Sequence, residues 1–407
     1  MIWRRTDRAV LVWGVLAAAA ALPTFASCAE AEDSRIPQED TSVPLPEASV
    51  DATAPVEAAV EAGCDAKEPD CVSTVITCDV AAWCPVPTPV STRFALTAVW
   101  GSSANDVWAV GSGGSIVHYD GAAWAATPTN VTNTFHAVWG SGPNDVWAVA
   151  MTDTILHSAG FSGGKADWQL VSGATNSAMA TATTALWGTG AGKVRIGARA
   201  RGVFVPGRGV VYQHQYTSRT EADGGIAWDL VEGEGDVLGF WGSSPNDLWL
   251  VADNSARKAW ERGQTLHGIA GDGGVFDWTS VDSQSTVALE AIWGSSADDI
   301  WAVGDKGTMR RMKKGATRWE IVASSTERTL HGLWGSSADD VWAVGDAGTI
   351  LHFDGATWKP SVAAFALGKK PDLRGVWGSA KNDVWIVGDN VALHYTGPKP
   401  APQGGAQ

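Results

Sequence analysis

Val99 to Gly111 reads VWGSSANDVWAVG, and the chain keeps returning to that phrase. It recurs as VWGSGPNDVWAVA from Val138, FWGSSPNDLWLVA from Phe240 and IWGSSADDIWAVG from Ile292. LWGSSADDVWAVG follows from Leu333 and VWGSAKNDVWIVG from Val376, and a degenerate copy, LWGTGAGKVRIGA, begins at Leu186. That makes seven copies. A second phrase trails each copy after a variable gap, clearest as GSIVHYDGAAWAA from Gly114 and GTILHFDGATWKP from Gly348. Periodic self-similarity of this length marks a repeat architecture in which each unit covers its neighbours.

Each repeat divides into four short strands. In the sixth they are expected at Thr329–Trp334, Asp340–Gly345, Thr349–Phe353 and Thr357–Val362, joined by Gly-, Ser- and Asp-rich turns. Val341, Trp342, Ala343 and Val344 put apolar groups on both faces of one strand, so both faces must be covered. Blades of a propeller meet that demand, because every sheet packs on a neighbour at each side.

The last repeat stops at Tyr395 without its second tryptophan, and the missing piece lies at the other end. DVAAWCPVPTPV, from Asp79 to Val90, lines up with DGAAWAATPTNV from Asp120 to Val131. Trp83 then completes the last blade, a circular offset that closes a ring and would gain an open solenoid nothing. The expected fold is an all-β, seven-bladed propeller of four-stranded antiparallel blades over residues 78–396, closed by an N-terminal strand, with a tail at 397–407.

Twenty of the 23 tryptophans occupy repeat positions. Seven precede the Gly-Ser turn, seven end the second phrase, and six stand in the Asp-Val-Trp position, where Arg195 replaces the seventh. Each could bury roughly 150–250 Å², worth at most about 4–6 kcal/mol by area. Repeated tryptophan is read as core and not as a sugar-stacking platform.

Upstream of the repeats the sequence has another character. Arg4, Arg5 and Arg8 precede an apolar stretch from Ala9 to Leu22, too short to span a bilayer and laid out like a secretory signal over residues 1–27. Phe25-Ala26-Ser27-Cys28 resembles the bacterial lipobox, with Phe25 in the usual leucine place, which implies lipidation of Cys28. Ordinary cleavage after Ala29 or Ala31 is the alternative. From Cys28 to Thr77 twelve acidic residues face two basic ones, in a tract rich in Ala, Pro, Ser and Thr that reads as an extended linker. Export with a lipid anchor implies the outer membrane or cell surface, with periplasmic or secreted placement as alternatives. The formal charge of −15 argues against a nucleic-acid partner.

The VWGSSxxDVWAVG repeats resemble those of exported propellers, often lipoproteins, of myxobacteria and their relatives. The YDGAAW and FDGATW elements are also similar to the Asp-box of sialidase-type propellers, an incomplete match here. In that family the box shapes the turn between strands three and four and is not catalytic.

No nucleophile elbow, HExxH or Walker loop occurs, and no cofactor is expected. Asp106, Asp145, Asp247, Asp299, Asp340 and Asp383 each precede a strand, where a carboxylate braces its own turn. His118, His157, His352 and His394 fall on third strands of separate blades and cannot converge on one metal. Cys64, Cys71, Cys78 and Cys84 suggest two disulfides. If Cys78 and Cys84 flank an extended strand they lie roughly 20 Å apart at about 3.3 Å per residue, too far to bridge. Each is then expected to pair with Cys64 or Cys71.

The repeat is broken by insertions at Ala198–Gly225 and Asn254–Gly274. They hold Arg199, Arg201, Arg208, Arg219, Arg257, Lys258 and Arg262, together with Trp260, the one tryptophan after Cys28 outside the repeat positions. Loops on a rigid scaffold are where binding concentrates. Trp260, Arg257, Arg262, Arg199 and Arg201 are therefore the candidate site for a protein or glycan ligand, solvated surface loops being the plain alternative. The reading is a monomeric, non-catalytic binding scaffold. A carbohydrate-active enzyme and a periplasmic assembly factor are the rival classes.

Overall fold

The structure, a computed structural model, describes residues 68–233, 235–255 and 262–399. The signal, Cys28, Cys64, Arg257, Lys258 and Trp260 lie outside the described residues. Seven four-stranded antiparallel sheets stand around a central channel. Strand 1 of each blade lines that channel, and strands 2 to 4 follow outward. First strands of adjacent blades touch all the way round, the seventh (Leu373–Ala380) meeting the first (Leu96–Ser103).

The sixth blade has the expected four strands in the expected order, with its first strand running on through Gly335–Ser337, expected as a turn. Its strands are Leu330–Ser337, Asp340–Gly345, Thr349–Phe353 and Trp358–Pro360. Every residue of Asp340–Gly345 is buried, as two covered faces require. The first hairpin shifts register between Leu330 and Gly332 and again between Gly335 and Ser337. Such bulges bend the strand and add to its twist.

Closure follows the expected device in a shorter form. Trp83–Pro85 pairs with Val391–Tyr395 as the outer strand of the seventh blade, with Trp83 opposite Tyr395. Trp83 is completely buried and its indole donates to Ser361 Oγ. The paired strand is three residues long, because Thr77 to Ala82 is a turn: Val80 and Ala81 both donate backbone N–H to the Thr77 carbonyl.

That turn overturns the expected cysteine pairing. It folds Cys78 back until its Cα lies 5.5 Å from that of Cys84, and the two form a disulfide. Cys71 is also disulfide-bonded. Cys71–Val72 pairs antiparallel with Gly368–Lys369, and Asp70 meets Arg328 at 2.6 Å. The expected linker boundary at 77 therefore falls too late.

Two rings of tryptophan weld the blades. Each strand-2 tryptophan meets the outer-strand tryptophan of the next blade edge to face, as Trp108 does Trp168 at 5.5 Å, Trp385 does Trp124 at 5.0 Å and Trp342 does Trp83 at 4.9 Å. This geometry aims a positive ring edge at a negative ring face. The strand-1 tryptophans form the second ring, each laid against the glycine after its neighbour's tryptophan: Trp100 on Gly140, Trp293 on Gly335, Trp377 on Gly101.

Candidate functional site

Antiparallel alternation fixes two faces. Turns joining strands 1–2 and 3–4 lie on one, and turns joining strands 2–3, with the entry to strand 1, lie on the other. Both insertions leave between strands 2 and 3 and so share the second face, as the sequence suggested. The third-blade insertion is built structure: strands Lys193–Val205 and Gly209–Thr220 run on past the blade, paired from Arg201–Gln213 to Val205–Gly209. Gly209–Thr220 is itself the blade's third strand, so the expected insertion at Ala198–Gly225 was drawn too long.

Among the described residues of the basic cluster, three of five arginines are ion-paired. Arg208 pairs with Glu232 at 2.5 Å, and Arg219 with Glu221 at 2.9 Å. Arg262 lies 3.2 Å from Asp305 and 3.8 Å from Asp253. Arg201 donates to the Ala178 carbonyl, and Arg199 is exposed.

At this same face opens the channel, a cavity of about 450 Å³. Seven side chains ring it, one per blade, each three residues before the strand-1 tryptophan: Thr97, His136, Thr184, Leu238, Glu290, His331 and Arg374. The sequence reading passed over them. Their signal was present, as a position in an otherwise repetitive strand where seven blades supply five residue types.

The ring is asymmetric. Thr97 and Thr184 spend their hydroxyls on the Phe135 and Val237 carbonyls. His331 Nε2 lies 2.7 Å from Asp346, and Arg374 Nε donates to Asp389 at 2.9 Å. Burial pushes the Glu290 carboxyl up, Asp305 and Asp253 add to that, and His331 and Arg262 pull against it. Burial pushes His136 down, reinforced by Arg199. Two of the residues expected to bind ligand, Arg199 and Arg262, thus act electrostatically on the channel ring.

The Asp and His ladders are structural, as expected. In the sixth blade Asp340 Oδ2 accepts from Ser336 at 2.5 Å while Oδ1 meets His352 Nε2 at 2.7 Å, and His352 stacks on Trp342 at 4.0 Å. The same Ser–Asp–His–Trp group holds in the first, second, fourth and seventh blades. His267 belongs to the fourth and was missed, because the insertion stretches the usual spacing of 11 or 12 residues from Asp to His to 20. In the fifth blade Arg311 takes the histidine's place, 2.6 Å from Asp299. Asp120 and Asp354 each accept two backbone N–H groups within their own turns, so the Asp-box-like elements shape turns here too.

No protein-family model matches the chain, and no curated protein does. Solved structures do. One described as YCF48 bound to D1 peptide superposes with a TM-score of 0.59 at 16% identity, over 80% of this chain and all of that one. YCF48 from Cyanidioschyzon merolae gives 0.56 at 17%, covering 77% of this chain and 99% of the other. The WD40 propeller domain of Doa1 gives 0.55 at 10%, covering 78% and 97%. At these identities the likeness is one of architecture, and it agrees with the blade count: the chain folds as a seven-bladed β-propeller.

Proposed function

We propose that the chain is a non-catalytic scaffold that holds a polypeptide partner over the channel mouth, on the face carrying the two insertions. The observation that carries this reading is the channel ring. Around it the repeat is held nearly constant, yet this position varies between hydroxyl, imidazole, carboxyl, guanidinium and leucine. Chemical variation at a solvent-reachable position of a rigid repeat is what a recognition surface needs. A propeller of similar fold carries a bound peptide, which lends support by architecture alone.

A glycosidase reading is weaker on chemistry. Cleavage of a glycosidic bond uses two carboxyl groups flanking the bond. Glu290 is the ring's one carboxyl, and the acids near it are engaged: Asp305 with Arg262, Asp346 with His331, Asp389 with Arg374. Lipidation at Cys28, with display at the outer membrane or cell surface, is the placement we propose, in keeping with the exported VWGSS-repeat proteins the sequence resembles.

The test is site-specific photo-crosslinking in outer-membrane extracts. A photoreactive residue at Leu238 should capture a discrete partner, and Glu290→Gln/His331→Ala/Arg374→Ala should abolish that capture with the melting temperature preserved. A crosslink pattern unchanged by the triple variant sinks the assignment to this mouth.

A further inference from the structure

The third blade carries the four-residue group of the other blades with its charge inverted. Six blades seat a carboxylate between a serine, a tryptophan and a histidine or arginine. Strand register puts Arg195 opposite Trp187 and Thr217, just as Trp108 stands opposite Trp100 and His118. Thr189, Lys193, Arg195 and Thr217 therefore occupy the serine, aspartate, tryptophan and histidine seats. All four line one cavity of about 340 Å³ that also touches Pro245 and Phe276 of the fourth blade.

Arg195 is 7% exposed, and among the described residues it pairs with no carboxylate. Its guanidinium carbon lies 4.9 Å over Phe276 and 5.9 Å from Trp278, and Nη1 donates to Gln215 at 3.1 Å. So it fills the tryptophan's place in the ring of edge contacts, by cation–π attraction. Burial pushes its pKa down to about 10, which still leaves it charged at neutral pH. The Thr217 hydroxyl is buried without a partner, and Lys193, exposed at the rim, has no ion pair among the described residues. A buried cation lacking an anion is costly. The fifth blade displays the cure, since Arg311 there holds a carboxylate at 2.6 Å.

We propose that this cavity binds a carboxylate supplied by a partner polypeptide, an Asp or Glu side chain or a C-terminus, which takes the seat the blade's own aspartate fills elsewhere. Arg195 and Lys193 supply the charge, and Thr189 and Thr217 the hydroxyl donors. The site opens on the face of the 1–2 and 3–4 turns, opposite the channel mouth, so it goes beyond the function proposed above and stands or falls separately from it.

Succinate and inorganic phosphate serve as probes, titrated at constant ionic strength against chloride, with melting temperature as readout. Specific binding gives a saturable rise, whereas excluded salts stabilise without saturating. Wild type should show a saturable rise of several degrees with succinate. Thr189→Ser/Lys193→Asp/Arg195→Trp/Thr217→His, which installs the first blade's group, should melt at least as high in buffer and show none. Should that variant fold poorly, Lys193→Ala removes one exposed side chain and should weaken succinate several-fold with its melting temperature in buffer unchanged. Absence of a saturable shift in wild type, or an equal shift in the repaired blade, overturns the proposal. Saturation by phosphate without succinate overturns the carboxylate assignment and leaves a phosphate site.

Discussion

A glycine follows each strand-1 tryptophan because the adjacent blade's indole already occupies the space a side chain would need. At Gly335 an added Cβ would lie 2.7 Å from the Trp293 ring and 2.7 Å from the Asp340 carbonyl, one side of which is backbone and cannot yield. Gly335→Ala should therefore cost about 2–3 kcal/mol, read by denaturant unfolding. Gly142, where an added Cβ meets nothing within 4 Å, is the control and should stay within about 0.5 kcal/mol. The buried Asp340 carboxylate is a second residue-scale lever. Burial pushes its carboxyl up, but hydrogen bonds from His352 and Ser336 outweigh that and hold it below 3.8; Asp106 and Asp383 behave alike. Since each folded value lies under the ordinary one, the stabilisation is complete above about pH 4 and is lost as pH falls through the folded values. Acid titration of wild type should show this loss, and Asp340→Ala, expected to cost about 2–3 kcal/mol, should show a shallower one.

At the scale of the element, the closing strand concentrates much of the ring's cohesion in few residues. Trp83 touches Trp342 at 4.9 Å and Tyr395 at 5.2 Å, joining the sixth and seventh blades. Trp83→Ala should cost about 3–5 kcal/mol, and thermal unfolding should show the melting temperature fall accordingly. Non-reducing peptide mapping should recover Cys78 linked to Cys84. The closing strand was legible because DVAAW copies a phrase whose place in the blade is fixed by six others. The turn at Thr77 was not, since no repeat precedes it to supply a template, and an extended path was assumed where the chain doubles back. His267 escaped for a related reason: register across a hairpin aligns it with Trp249, while linear spacing does not.

For the whole molecule, blade number, strand order and core were readable because seven noisy copies of one pattern average into a clear one. The channel ring was not, because its members are scattered along the chain and fall into five residue types, so self-comparison discards them. The same comparison registered Arg195 as a defect in the third copy. Only when strand register places Thr189, Lys193 and Thr217 beside it does the defect become a coherent change of charge. The molecule thus offers two unlike faces, a mixed acid–base rim around the channel and a cationic notch opposite.

Closure by Trp83–Pro85 also has a meaning in time. The strand that completes the ring is the first of the propeller to be synthesised, and its partner, Val391–Tyr395, is the last. During synthesis in the amino-to-carboxyl direction, six blades have their sequence in hand before the clasp can shut. Throughout that interval Trp83 has no seat and the sixth blade's flank stays bare. Assembly of this ring ends where it began, and a nascent chain is most vulnerable to misassociation just before its last few residues emerge.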